Sequence, residues 1–231
     1  MKRVNTRMLT RLFGAVGLTA GLASGIAVSA TSASAQPCPD VEAVFARGTD
    51  EVPGFGPTGD AFVESLRSKV SPRSFATYAV NYPASNDWPT GVDGVRDAST
   101  HIQAVAASCP KTKMVLGGFS QGAAVMGFVT ANAVPDGVNP ADVPRPMAPD
   151  IADHVAAVVL FGTPNTRAMD FLGQPAVVIG PLYAGKTIQL CAPEDPVCSE
   201  GLNFAAHNSY AEDGMVEQGA NYAAHRLQQF T

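Results

Sequence analysis

The 231-residue sequence has little charge: Asp, Glu, Lys and Arg make up 15 %, against 46 % hydrophobic residues. A chain so apolar is not disordered, and it is long enough for a substantial core. Beyond the first dozen positions there is no basic run, and 15 basic against 20 acidic residues leave a net charge of −5. So little positive charge excludes a nucleic-acid partner from the expected functions. Cysteine is scarce as well. The four present include no Cys-x-x-Cys spacing, which argues against a zinc framework and, at this length, against a disulfide-dense miniprotein. No metal or cofactor is expected. Without an internal repeat or an interdomain linker, one domain is the natural partition.

What is present starts with an export address. Lys2, Arg3, Arg7 and Arg11 precede an apolar stretch, Leu12 to Val28, and a run of small residues ending Ala33-Ser34-Ala35. This is the order of a secretory signal, with cleavage expected after Ala35. The alternative is an uncut membrane anchor, against which stand the glycines within the stretch and the small-residue cleavage site. Residues 1–35 are thus expected as the signal and 36–231 as the exported domain. Removing the signal takes four basic residues and no acidic ones, leaving 11 against 20, a net −9. The expectation is a secreted, extracellular or cell-wall-associated protein, monomeric, with no obligate protein partner and no charge attraction to anionic lipid.

An oxidising destination makes Cys38, Cys109, Cys191 and Cys198 two disulfides rather than a metal site. Three pairings are open. Nearness in sequence favours Cys191 with Cys198, leaving Cys38 with Cys109. On the loop-entropy model these bridges contribute at most about 2.5 and about 4.4 kcal/mol.

Strands are expected at 41–47, 75–82, 114–119, 155–161 and 187–191, where β-branched and apolar residues run together. Helical spacing of apolar residues marks 57–70 (Phe62, Leu66, Val70), 92–107 (Val92, Val95, Ile102, Val105), 122–131 and 215–229. Alternation of the two kinds implies a single-domain α/β protein: a mainly parallel five-stranded sheet with helices on both faces. Sites in such sheets lie beyond the carboxyl ends of the strands.

Directly after the third strand stands Gly118-Phe119-Ser120-Gln121-Gly122, with a helix to follow. The G-x-S-x-G pattern in a strand–turn–helix setting lifts a nucleophilic serine above the sheet, its glycines removing bulk where strand and helix converge. Ser120 needs a base, and the base needs an orienting acid. Of four histidines, His101 and His225 fall within helices and His154 at the amino end of a strand; His207 alone lies in a loop after the nucleophile. Asp195 follows the last strand inside Cys191-Ala-Pro-Glu-Asp-Pro-Val-Cys198, where a disulfide and two prolines would hold it still. Glu194 in the same loop and Asp170 are the competing acids. The chain order Ser120, Asp195, His207 is that of α/β-hydrolases, and Gln121, after the nucleophile, supplies one oxyanion N–H. A second donor is expected from the loop ending the first strand, Ala46-Arg47-Gly48-Thr49. Gly54-Phe-Gly-Pro-Thr-Gly59 also matches a dinucleotide fingerprint, but it is displaced from the strand end and no acid closes the next strand, so a turn and helix start is the better reading.

The Ala-Arg-Gly-Thr strand end, Gly-Phe-Ser-Gln-Gly, the Asp-bearing Cys191–Cys198 loop and His207-Asn-Ser-Tyr together resemble the cutinase family, in its secreted bacterial branch. The resemblance runs from Cys38 to the closing helix. It implies an α/β-hydrolase fold, a serine esterase acting on carboxylic esters such as cutin-like polyester or short- to medium-chain acyl esters, and the triad Ser120, Asp195 and His207. It implies Thr49 with Gln121 as oxyanion donors and supports the Cys38–Cys109 and Cys191–Cys198 pairings. Fungal members commonly have serine where Thr49 stands, and the added methyl of threonine restricts its rotamer. Trp88, Leu202 and Phe204 on the rims are candidates for an apolar acyl cradle. A lipase, phospholipase or acyltransferase on the same triad is the alternative chemistry, and a non-catalytic secreted binding module the remaining one.

Overall fold

A computed structural model describes residues 37–230; the expected signal segment, 1–35, lies outside them. Five strands form the sheet: β1 (Val41–Ala46), β2 (Phe75–Ala79), β3 (Lys113–Phe119), β4 (Val155–Phe161) and β5 (Thr187–Leu190). All are parallel, in the order β2-β1-β3-β4-β5. The central strands β1, β3 and β4 are buried almost throughout, which is why their sequences run apolar rather than alternating.

The helices are α1 (Gly56–Val70), α2 (Gly91–Ser108), α3 (Gln121–Val129), α4 (Thr166–Phe171), α5 (Pro181–Ala184) and α6 (Met215–Gln228). Helices α1 and α6 cover one face, where Phe62, Leu66, Ala220 and Leu227 pack with Phe45, Val159 and Phe161 of the strands. Helices α2 and α3 cover the other, where Ile102 and Met126 meet Val44, Leu116 and Leu160. The period of two that sends Val44 and Phe45 to opposite cores slips once: opposite the Met114–Val115 step, β4 carries an extra residue, so Ala156 and Ala157 both face the α1/α6 side.

The first three strands fall as the sequence implies, except that β2 stops at Ala79. Val80 N–H still bonds Phe45 carbonyl, but Tyr82 then turns inward and donates its hydroxyl to Arg47 carbonyl. The short α4 and α5 were not foreseen. Gly54 and Gly56 take positive φ at the turn into α1, and Gly59 packs so close to Phe45 that a Cβ would lie 2.6 Å from its ring. The apparent fingerprint is thus a turn and a helix start. Bridges join Cys38 to Cys109 and Cys191 to Cys198.

From β1 the chain moves to one side for β2 and then crosses to the other for β3. The carboxyl ends of β1 and β3 therefore flank a switch point, where such sheets open a crevice.

Candidate active site

Ser120 occupies the turn between β3 and α3 with φ 53° and ψ −118°, a left-handed conformation rare for a residue with a Cβ. The turn exists because its neighbours are bare. A Cβ on Gly118 would stand 2.3 Å from Gly122 carbonyl oxygen, and one on Gly122 only 2.0 Å from Ala46 carbonyl oxygen. Ser120 N–H is tied across to Phe161 carbonyl at 2.9 Å.

His207 lies in a single 3-10 turn, Ala206–Asn208. Its Nε2 is 2.9 Å from Ser120 Oγ and its Nδ1 2.8 Å from Asp195 Oδ2. A carboxylate only accepts, so Nδ1 carries the proton and Nε2 is free to accept from the serine hydroxyl. Phe119 stacks on the imidazole with ring centroids 4.9 Å apart. Gly162, at φ 57°, leaves the space beside it, since a Cβ there would come within 3.1 Å of His207 Cε1.

Asp195 is completely buried. Burial pushes its carboxyl up, but bonds from His207, Tyr210 hydroxyl (2.6 Å) and Val197 N–H (2.8 Å) outweigh that and hold it below the ordinary value. The competing acids, Glu194 and Asp170, are exposed and make no such bonds. Tyr210 accepts Ala192 N–H at 3.0 Å while donating to the carboxylate; burial and that carboxylate push its hydroxyl far up, so it remains a donor. In the sequence Tyr210 is only the last residue of His207-Asn-Ser-Tyr, and nothing local marks it as a partner of Asp195. Phe119 and Gly162 were missed for the same kind of reason.

The loop after β1 is laced from several sides. Gly48 N–H donates to Glu51 Oε2 at 2.5 Å, Asp50 N–H to Ala84 carbonyl and Glu51 N–H to Gly48 carbonyl. Among residues 48–51 only Thr49 N–H is left uncommitted. Arg47, buried, holds Tyr82 and Glu51 carbonyls at 2.8 Å each. Glu51 was also missed; burial raises its carboxyl, and Gly56 makes room for it. Gln121 opens α3, so its N–H has no partner four residues earlier in the helix. Its side-chain Nε2 donates to Ser85 carbonyl, and its buried Oε1 has no partner.

The expected acyl-cradle residues differ in their surroundings. Trp88 lines a cavity between α2, α3 and the proline-rich segment that follows α3. Leu202 and Phe204 lie before the His207 turn, are 84 % and 72 % exposed, and do not line that cavity. Among the described residues no cluster of His, Cys, Asp and Glu could hold a metal ion, and no helix is long and apolar enough to cross a membrane.

A strained serine bonded to a histidine that is bonded to a buried carboxylate is an arrangement for nucleophilic attack on a carbonyl. Comparison with known proteins agrees in kind. The cutinase family model matches residues 37–227. A probable carboxylesterase, Culp5 of Mycobacterium tuberculosis, is 64 % identical over 156 residues, covering 68 % of this chain and 89 % of that protein. Carboxylesterase Culp1 of Mycobacterium bovis is 46 % identical over 224 residues, 96 % of this chain and 97 % of its own. A cutinase structure from Trichoderma reesei, in complex with a phosphonate inhibitor, superposes with a TM-score of 0.63 at 31 % identity, covering 83 % of this chain and 78 % of that one. Sheet, disulfides, relatives and superposition converge on a carboxylic ester hydrolase, and the chain belongs to the cutinase family.

Proposed function

We propose that this chain is a secreted serine esterase in which Ser120, His207 and Asp195 act as a catalytic triad. Ser120 Oγ attacks the ester carbonyl carbon as His207 Nε2 takes its proton, and the resulting imidazolium is stabilised by Asp195. The same proton goes to the leaving alcohol as the acyl-enzyme forms. Water, activated by His207, then releases the acid and restores the serine. Thr49 and Gln121 N–H groups receive the oxyanion; the free amide of Thr49 in an otherwise bonded turn supports that role. Substrates are cutin-like polyester or short- to medium-chain acyl esters. No metal or cofactor takes part, the exported chain begins after Ala35, and it acts as a monomer.

The observation that carries this reading is the unbroken chain of bonds, 2.9 Å and 2.8 Å, through one imidazole to a fully buried carboxylate. The test is hydrolysis of p-nitrophenyl butyrate and of an insoluble polyester film by wild type and Ser120→Ala. Wild type is expected to cleave at least the soluble ester, and Ser120→Ala to lose about 10⁴-fold or more in kcat. A Ser120→Ala protein that keeps its rate ends the proposal. With a competing alcohol present, acyl transfer dominating over hydrolysis would make the enzyme an acyltransferase instead.

A further inference from the structure

Residues 48–51 form a turn in which Glu51 grips Gly48 twice. The backbone bond, Glu51 N–H to Gly48 carbonyl, is long at 3.4 Å, and Asp50 within the turn has φ 60°. The side-chain bond is the strong one. Gly48 N–H donates to Glu51 Oε2 at 2.5 Å, and a charged acceptor makes such a bond roughly twice as strong as a neutral one. The carboxylate is hemmed in on both sides. A Cβ on Gly48 would stand 2.7 Å from Phe119 Cδ1 and 3.3 Å from Glu51 Oε2, so the glycine is wedged between the ring that stacks on His207 and the carboxylate. Across the carboxylate lies Gly56, the first residue of α1, where a Cβ would come within 2.1 Å of Oε2. Arg47 anchors the Glu51 main chain, its Nε donating to Glu51 carbonyl at 2.8 Å.

We infer that Glu51 is a positioning residue for the oxyanion hole, acting through Gly48 on the amide of Thr49; the inference rests on the esterase reading above. The peptide joining Gly48 to Thr49 is planar and trans, so its carbonyl and its N–H point opposite ways. Holding the Gly48 end of that plane sets the direction of Thr49 N–H, the uncommitted amide of the turn. An oxyanion donor is effective when it is aimed in advance at the place where charge develops. A turn closed by the 3.4 Å bond alone would let that amide swing. The charged and titratable groups facing the Glu51 carboxylate are Arg47 of the same loop, Tyr82 beyond β2, Asp60 of α1 and His207. Burial raises this carboxyl, Asp60 adds to the rise, and Gly48 N–H, Arg47 and His207 oppose it only in part. Glu51 therefore takes up its proton at higher pH than an ordinary glutamate, and the turn slackens on the acid side.

The test is steady-state kinetics on p-nitrophenyl butyrate from pH 4 to pH 9 with three substitutions. Glu51→Gln keeps an oxygen for Gly48 N–H but no charge, whereas Glu51→Asp keeps the charge and falls one methylene short. At pH 8, Glu51→Ala and Glu51→Asp should lose about 10- to 100-fold in kcat with KM within about threefold. Glu51→Gln should stay within about fivefold of wild type. Since the amide does not titrate, the ratio of wild-type to Glu51→Gln kcat should fall about fivefold or more between pH 8 and pH 4, which a merely structural side chain would not cause. Urea midpoints report whether each variant is folded; if Glu51→Ala is not, Glu51→Asp carries the comparison. An unchanged kcat in Glu51→Ala and Glu51→Asp, a loss confined to KM, or a ratio flat with pH overturns the positioning role and leaves the esterase reading standing. So does a Glu51→Gln protein as impaired as Glu51→Ala, which would make the charge and not the bond the cause. A wild type that cleaves no ester overturns both.

Discussion

At Ser120 the fold accepts a cost for the sake of placement. A side chain held at φ 53° and ψ −118° costs about 1–3 kcal/mol. Glycine has no such penalty, so the usual order of substitution should reverse. Ser120→Gly is expected to unfold about 1 kcal/mol later than Ser120→Ala, both inactive, as read by urea denaturation. Tyr210 donates its hydroxyl to Asp195 and accepts Ala192 N–H. Since the folded pKa of Asp195 is depressed, its contribution to stability is present above the unfolded value near 4 and is lost as pH falls through the folded value. Tyr210→Phe removes one of the bonds that depress it and orphans Ala192 N–H, at about 1–3 kcal/mol. Urea midpoints followed from pH 6 to pH 2 should show the variant losing stability at a higher pH than wild type. A Tyr210→Phe curve parallel to wild type would leave that hydroxyl without an electrostatic role.

Among the elements, the two disulfides have opposite tasks. Cys38–Cys109 closes 71 residues and ties the segment before β1 to the end of α2, its cysteines eleven residues in sequence from Thr49 and from Ser120 respectively. Cys191–Cys198 closes only seven, but it encloses Asp195, and Cys198 Sγ lies 3.2 Å from the carboxylate. Cys38→Ala/Cys109→Ala should therefore lower stability by up to about 4.4 kcal/mol and leave kcat/KM within twofold. Cys191→Ala/Cys198→Ala should cost at most about 2.5 kcal/mol of stability and lower kcat at least tenfold. Thermal unfolding and ester kinetics on the two variants read both. The central strands and long helices were legible beforehand because β1, β3 and β4 are buried on both faces and α1 and α2 repeat apolar residues at helical spacing. Helices α4 and α5, of six and four residues, are too short to show a period. The end of β2 was overread because Val80 and Tyr82 are apolar for tertiary reasons, packing under the loop after β1.

Across the whole molecule, a parallel sheet with a switch point gathers residues far apart in sequence at one crevice: Ser120 after β3, Asp195 after β5, His207 before α6 and Thr49 after β1. The juxtaposed Ser120, Asp195 and His207 could be chosen from the sequence because the Gly-x-Ser-x-Gly turn has a local signature and the chain supplies few histidines. The supporting contacts of Tyr210, Glu51 and Phe119 could not, since each depends on a partner that only folding brings near. The cavity was illegible for the same reason: residues 134–150 read as a loop, and nothing local says that they close over α2 and α3. The account stands on Ser120 being a nucleophile activated through His207, and site-located covalent labelling tests this most directly. Wild-type protein treated with a fluorophosphonate should carry the adduct on the peptide containing Ser120, at a rate that His207→Ala lowers about 100-fold or more. An adduct on a different serine, or labelling of Ser120 at the same rate without His207, would contradict it.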